Sequence, residues 1–355
     1  MNSLFTPIRL RDLEIRNRVW MPPMCQYHAT DGLPEDWHFV HYGARAAGGY
    51  GLIIAEATGI VPEGRISPAC TGLWNDEQEA AWSRIVSFVH SQGAKMGIQL
   101  NHAGRKASTI PWLPGRGDGS VREGGWETVG PSAVAQEGID PPREMTLEEI
   151  QALPGQFAAA ASRAVRADFD TVELHGAHGY LLHQFLTPLA NHRTDEWGGS
   201  FENRTRLFRA VARAVRGVLP EGMPLLVRLS ATDWIDGAWD LEQSVALASL
   251  LIDDGVDLID VSTGGAANAR IPVGPGFQVE FASEIRRRSG MPTAAVGMIT
   301  EPEQALAIVE SGDADAVLIG RAGLRDPSWA LRAAHETGLD RSEIPYPDSY
   351  WRAKR

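Results

Sequence analysis

The chain repeats one pattern: a short run of Val, Ile and Leu, a polar or glycine-containing turn, then a longer stretch with apolar positions at helical spacing. The apolar runs predict strands over 19–21, 51–56, 95–100, 171–174, 225–229, 258–261, 293–296 and 316–319. They do not alternate strictly, which marks strands covered on both faces. Helices are expected between them, over 39–47, 76–91, 147–167, 201–217, 241–254, 277–289 and 301–311. Thr146 with Glu149, and Pro302, supply start signals. Strand–helix alternation repeated eight times predicts a closed (β/α)8 TIM barrel, and no G-x-G-x-x-G follows the first strand to suggest a doubly wound sheet. Residues 8–10 and 13–15, joined through Arg11-Asp12, predict a β-hairpin lid within 1–18 that closes the barrel's bottom. Residues 103–142, rich in Gly, Pro and Trp, form a long loop after strand 3, on the face where such barrels work.

Composition narrows the class. With 355 residues, 43% of them hydrophobic, the chain suits one barrel domain over 1–355. A net charge of −12 and no basic run longer than Arg286-Arg287-Arg288 argue against a nucleic-acid partner. No run of about 18 apolar residues is present to span a membrane. Residues 1–18 lack the apolar core of a signal peptide, so a soluble cytoplasmic protein is expected. Cys25 and Cys70 are too few for an iron–sulfur centre.

Polar and special residues fall at every strand end, where this fold places its active sites. Glycines at Gly297 and Gly320, followed by Arg321, suit a phosphate after the last two strands. Gln99 offers a donor and an acceptor to a ring with imide and carbonyl groups. Arg228 ends an apolar strand, which suits either a structural ion pair or a cation beside a group that gains negative charge. His175 and His178, three apart, read as neighbours on a first helical turn. They could hold zinc, although Glu173 is expected to alternate away, or could donate two hydrogen bonds to one oxygen while Tyr180 delivers a proton.

These motifs resemble the Old Yellow Enzyme family of FMN-dependent ene-reductases, in its thermophilic-like branch, from Leu4-Phe5-Thr6-Pro7 to Tyr350-Trp351-Arg352. The most specific segments are Pro23-Met24-Cys25-Gln26-Tyr27, His175-Gly176-Ala177-His178-Gly179-Tyr180 and the stretch 191–204. The resemblance implies that Pro22, Pro23, Met24 and Cys25 line the isoalloxazine, with Ala57 at its O4–N5 edge. Gln99 and Arg228 would bind the pyrimidine edge; Ser262, Gly297, Gly320 and Arg321 would hold ribityl and phosphate. His175 and His178 would bind the substrate's electron-withdrawing group, Tyr180 would protonate Cα, and Tyr27, Cys25 and Lys106 would face the substrate. Arg352 and Trp351, in a C-terminal segment 340–355, would reach a neighbouring subunit of a homodimer or homotetramer. Pro22 stands where the branch commonly has a small hydroxyl residue.

The implied activity is NADPH-driven reduction of electrophilic alkenes such as enones and nitroalkenes, with NADPH visiting transiently and no metal required. A phosphate-binding barrel isomerase or aldolase is the alternative; it shares the glycine ends but usually needs a catalytic Lys or Glu where this chain has histidines.

Overall fold

The computed structural model describes residues 2–353 and centres on a closed barrel of eight parallel strands. A hairpin of β1 (Ile8–Leu10) and β2 (Leu13–Ile15) precedes it. The barrel comprises β3 (Val19–Met21), β4 (Leu52–Gly59), β5 (Lys95–Asn101), β8 (Thr171–Gly176), β9 (Leu225–Ser230), β10 (Leu258–Ser262), β11 (Thr293–Ala295) and β12 (Ala316–Leu318). Between β5 and β8 the long loop contributes a short parallel pair, β6 (Val129–Gly130) and β7 (Arg143–Glu144). The helices around the barrel are α1 (Asp36–Ala47), α2 (Asp76–Ser91), α3 (Leu147–Arg166), α4 (Leu181–Leu186), α5 (Phe201–Arg216), α6 (Leu241–Asp253), α7 (Val279–Ser289), α8 (Pro302–Glu310), α9 (Arg321–Arg325) and α10 (Trp329–Glu336). Asn75, Thr146, Ser200 and Asp240 cap four of them by accepting an amide hydrogen bond three residues on. Among the described residues no helix is long and apolar enough to cross a membrane.

The hairpin is the barrel's floor. Ile8, Leu10, Leu13 and Ile15 pack in one cluster with Trp20, Leu52, Ile54, Leu226, Leu258 and Leu318. Arg11 Nε meets Asp257 at 2.7 Å, and the Asp12 amide donates to the Gly222 carbonyl at 3.1 Å. These bonds pin the hairpin to the loops that lead into β9 and β10.

Every second side chain of a strand shares a face, so the interior can be read upward from that floor. β9 presents Leu226, Arg228 and Ser230; β10 presents Leu258, Asp260 and Ser262; β8 presents Thr171, Glu173 and His175. The apolar floor thus gives way to a charged layer, and then to the mouth.

Five strands (β4, β5, β8, β9 and β10) outrun their apolar runs, β4 and β8 by more than one residue. β8 continues through His175 to Gly176, because backbone pairing with β9 persists after the side chains turn polar. β4 continues to Gly59 with a register shift against β5 between Ala55 and Thr58, a bulge that places Ala57 near the barrel mouth. Helices α4, α9 and α10 were not expected; the first two are too short to show a helical period.

Candidate active site

His175 leaves the end of β8 with its Nδ1 accepting the Ala177 amide at 3.4 Å, so its proton sits on Nε2. The next residues form no helical turn, contrary to the spacing argument. His178 adopts a left-handed φ of 59°, unusual for a residue with a Cβ. Neighbouring loops hold it there. Its amide donates to Ser230 Oγ at 3.0 Å, and its carbonyl accepts from Lys106 Nζ at 2.8 Å. Lys106 also donates to the Gly265 carbonyl at 3.0 Å. Gly265 lies so close that a Cβ there would stand 2.5 Å from His178 Cα. The result is an imidazole pair with centroids 5.3 Å apart at 88°, and Tyr180, preceding α4, 4.8 Å from His175. Lys106 Nζ lies 5.1 Å from the Tyr180 ring centroid.

Burial, and then the Arg228 charge, hold both histidines well below the usual imidazole range, so they are neutral near pH 7. Burial likewise pushes the Tyr180 phenol up, which keeps its proton on. Lys106 is brought down to about 8 by burial and by Arg105.

The far wall is the segment after β3. Cys25, Tyr27, Tyr180 and Trp126 pack on a small cluster that contains Ala57, Ala103 and Cys70. Cys70 is therefore the neighbour of Cys25: its thiol hydrogen bond, followed by burial, pushes the Cys25 thiol up. Tyr27 has φ 56° and a phenol pushed up by burial and Cys25. Glu56 positions this wall, accepting the Gln26 amide at 2.9 Å while it sits 3.3 Å from both His38 Nε2 and Tyr42 Oη. From the long loop, Trp126 donates to the Glu63 carbonyl at 2.8 Å, and Arg65 lies 5.1 Å from its ring.

On the other side, Pro22, Pro23, Met24, Arg228, Gly297, Met298, Gly320, Arg321 and Arg325 line a cavity of about 310 Å³. Arg325 escaped the sequence reading; its signal was the four-residue spacing from Arg321 on α9. Gly297 has φ 122°, and a Cβ there would lie 2.8 Å from Gln278 Nε2. Beneath lies the charged layer. Gln99 Nε2 donates to Glu173 Oε1 at 2.8 Å, and Arg228 Nε stands 3.0 Å from Asp260 Oδ2. Glu173 points inward, not away, because it lies two residues from His175 on the same face. A larger hollow of about 700 Å³, near Arg16, Glu310 and Asp340, holds none of these groups.

The set fits FMN. Arg321 and Arg325 with two glycines, and no carboxylate, line the cavity, which suits a phosphate. Gln99 has its NH2 on Glu173, which leaves its amide oxygen as an acceptor, and Arg228 supplies the adjacent cation. Among the described residues no three His, Cys, Asp or Glu side chains converge to hold a metal. Trp351 and Arg352 stand apart on the surface, the arginine stacked on the indole at 5.4 Å.

Residues 3–340 match the NADH:flavin oxidoreductase / NADH oxidase family. The chain is 46% identical to an NADPH dehydrogenase of Listeria monocytogenes over 356 residues, covering 99% of both chains. Morphinone reductase in complex with tetrahydroNAD superposes with a TM-score of 0.79 at 31% identity, over 98% of this chain and 96% of that one. An old yellow enzyme homologue from Zymomonas mobilis gives 0.78 at 30% identity, over 97% and 99%. The end-to-end match, on a barrel whose mouth carries this flavin-fitting set, makes the chain a member of the Old Yellow Enzyme family of FMN-dependent oxidoreductases.

Proposed function

We propose that the protein reduces activated C=C bonds, in enones, nitroalkenes and related electrophiles, at the expense of NADPH. The neutral imidazole pair beside a protonated phenol carries this reading. FMN, when bound, would supply the redox chemistry, a hydride relay from NADPH to the alkene Cβ.

The chain's own residues do the rest. Pro22, Pro23, Met24, Cys25 and Ala57 would line the ring, and Gln99 and Arg228 would hold its pyrimidine edge. Ser262, Gly297, Gly320, Arg321 and Arg325 would hold ribityl and phosphate. His175 donates from Nε2 to the substrate's carbonyl or nitro oxygen. His178 Nε2 lies 2.7 Å from Ser262 Oγ. The Ser262 hydroxyl stands 3.4 Å from Gln278 Oε1 but only 2.7 Å from His178 Nε2, and donation over the shorter contact puts that imidazole's proton on Nδ1. Two N–H donors then polarise one oxygen, and Tyr180 delivers a proton to Cα. Tyr27, Cys25 and Lys106 shape the substrate side, and Lys106 also ties the His178 and Gly265 loops together. The exposed Trp351 and Arg352 suit contact with a second subunit in a homodimer or homotetramer.

The test is a double substitution, His175→Ala with His178→Ala. FMN should stay bound, while cyclohexenone reduction falls by about 10²–10³, the loss typical when a polarising donor is removed. A purified double variant that reduced cyclohexenone near the wild-type rate would sink the proposal.

A further inference from the structure

We propose that Asp260 is a positioning residue for the flavin: it anchors Arg228 from below, offsets part of its charge, and so sets the reduction potential of bound FMN. This rests on the reading that Arg228 meets the flavin's pyrimidine edge.

The geometry is that of a held cation. Asp260 and Arg228 face each other across the β9–β10 ladder, where they are register partners. The Asp260 side chain is 1% exposed and that of Arg228 is 9% exposed. One edge of the guanidinium stands 3.0 Å from Asp260 Oδ2, while Nη1 donates to the Pro23 carbonyl at 3.4 Å. Pro23 and Arg228 both line the cavity assigned to FMN. The guanidinium is thus clamped between a carboxylate in the charged layer and a carbonyl in the cavity wall. Neither Asp260 oxygen accepts a well-aligned hydrogen bond from the protein, so its main interaction is charge with charge.

Glu173 lies in the same layer with one oxygen on Gln99 and the other unpaired. Burial and the nearby Asp260 push its carboxyl well up, which keeps it protonated. Burial raises Asp260 to about 6, so at pH 8 it is ionised. One positive and one negative charge therefore share a closed interior, where Coulomb interactions are weakly screened. A merely structural carboxylate would leave the flavin's potential alone; a charge behind Arg228 would not.

The experiment measures the FMN midpoint potential anaerobically at pH 8 in intact holoenzyme. Asp260→Asn keeps the shape and removes the charge. Reduced flavin carries extra negative charge, so Arg228 without its counter-ion should favour it. The oxidised–reduced equilibrium should move about tenfold toward reduced, about 30 mV for a two-electron couple. Glu173→Gln should move it less than about twofold. Arg228→Met should move it the opposite way. If Arg228→Met leaves the potential unchanged, the assignment of Arg228 to the flavin fails. If Arg228→Met shifts it but Asp260→Asn does not, only the role of Asp260 fails. An equal shift in Glu173→Gln also overturns it, since the charge would then be shared. Should Asp260→Asn not fold, Asp260→Ser carries the same expectation.

Discussion

The same eight strands enclose two unlike interiors. At the hairpin end Trp20, Ile54, Leu226 and Leu258 form a dry apolar plug with Ile8, Leu10, Leu13 and Ile15. Two residues further along those strands, Leu226 gives way to Arg228 and Leu258 to Asp260. The floor stabilises by burial, worth about 1.5–3 kcal/mol for each large side chain. The charged layer has no such return, since ions taken out of water must recover their hydration from one another. Placing the two layers within one pleat repeat lets rigid strands hold costly groups in place. Stability and chemistry are therefore separable along the barrel axis, and substitutions can test that.

The largest effect is expected at the floor. Trp20→Ala removes a fully buried indole whose Nε1 donates to the Asn17 carbonyl at 3.1 Å, and should cost about 3–5 kcal/mol in denaturant unfolding. The protein that remains folded should reduce cyclohexenone at the wild-type rate per flavin; a large loss there would end the separation. At the mouth, Tyr180→Phe should slow oxidation of reduced enzyme by alkene about a hundredfold in stopped flow. Its thermal midpoint should stay put, and a shift of many degrees would assign Tyr180 to the scaffold. Smaller still is Arg11→Ala, which removes a partly exposed ion pair with Asp257 and should cost about 1 kcal/mol or less.

The smallest expected effect is on rate against pH. Both histidines titrate well below 6.5, so they should put no inflection near 6.5 in the alkene half-reaction; Asp260, raised to about 6, and Lys106, brought down to about 8, bound that window. An inflection near 6.5 that vanished in His178→Ala would contradict the neutral pair. Stability should behave differently. With the folded values depressed, the unfolded chain binds more protons as pH falls through 6.5, so the two histidines' contribution to stability is full above that value and is lost below it.

The barrel was legible because strands buried on both faces read as unbroken apolar runs. Strand ends were less so: β8 was expected to stop at Leu174, since hydropathy breaks at His175 while the backbone ladder continues. His175, His178 and Tyr180 were legible as residues, but their convergence depends on a left-handed His178 held by Ser230, Lys106 and Gly265, all remote in sequence. Asp260 sat within an apolar run and drew no notice; its partner lies on the neighbouring strand. Glu56, whose partners His38 and Tyr42 sit on α1, and the His183–Asp233 pair at 3.1 Å were hidden because the groups that meet are separated in sequence. Parity alone would have put Glu173 on the inward face with His175.

The first residues of the chain bond to some of its last. Asn2 Nδ2 donates to Thr337 Oγ1 across 335 positions, and Arg18 Nη1 donates to the Asp315 carbonyl across 297. β3 cannot complete its ladder until β12 has left the ribosome. β3 thus waits unpaired on one edge while the residues up to β12 are made, a span in which chaperones and crowding act. Closure of this barrel is a late event with high contact order, which predicts slow refolding.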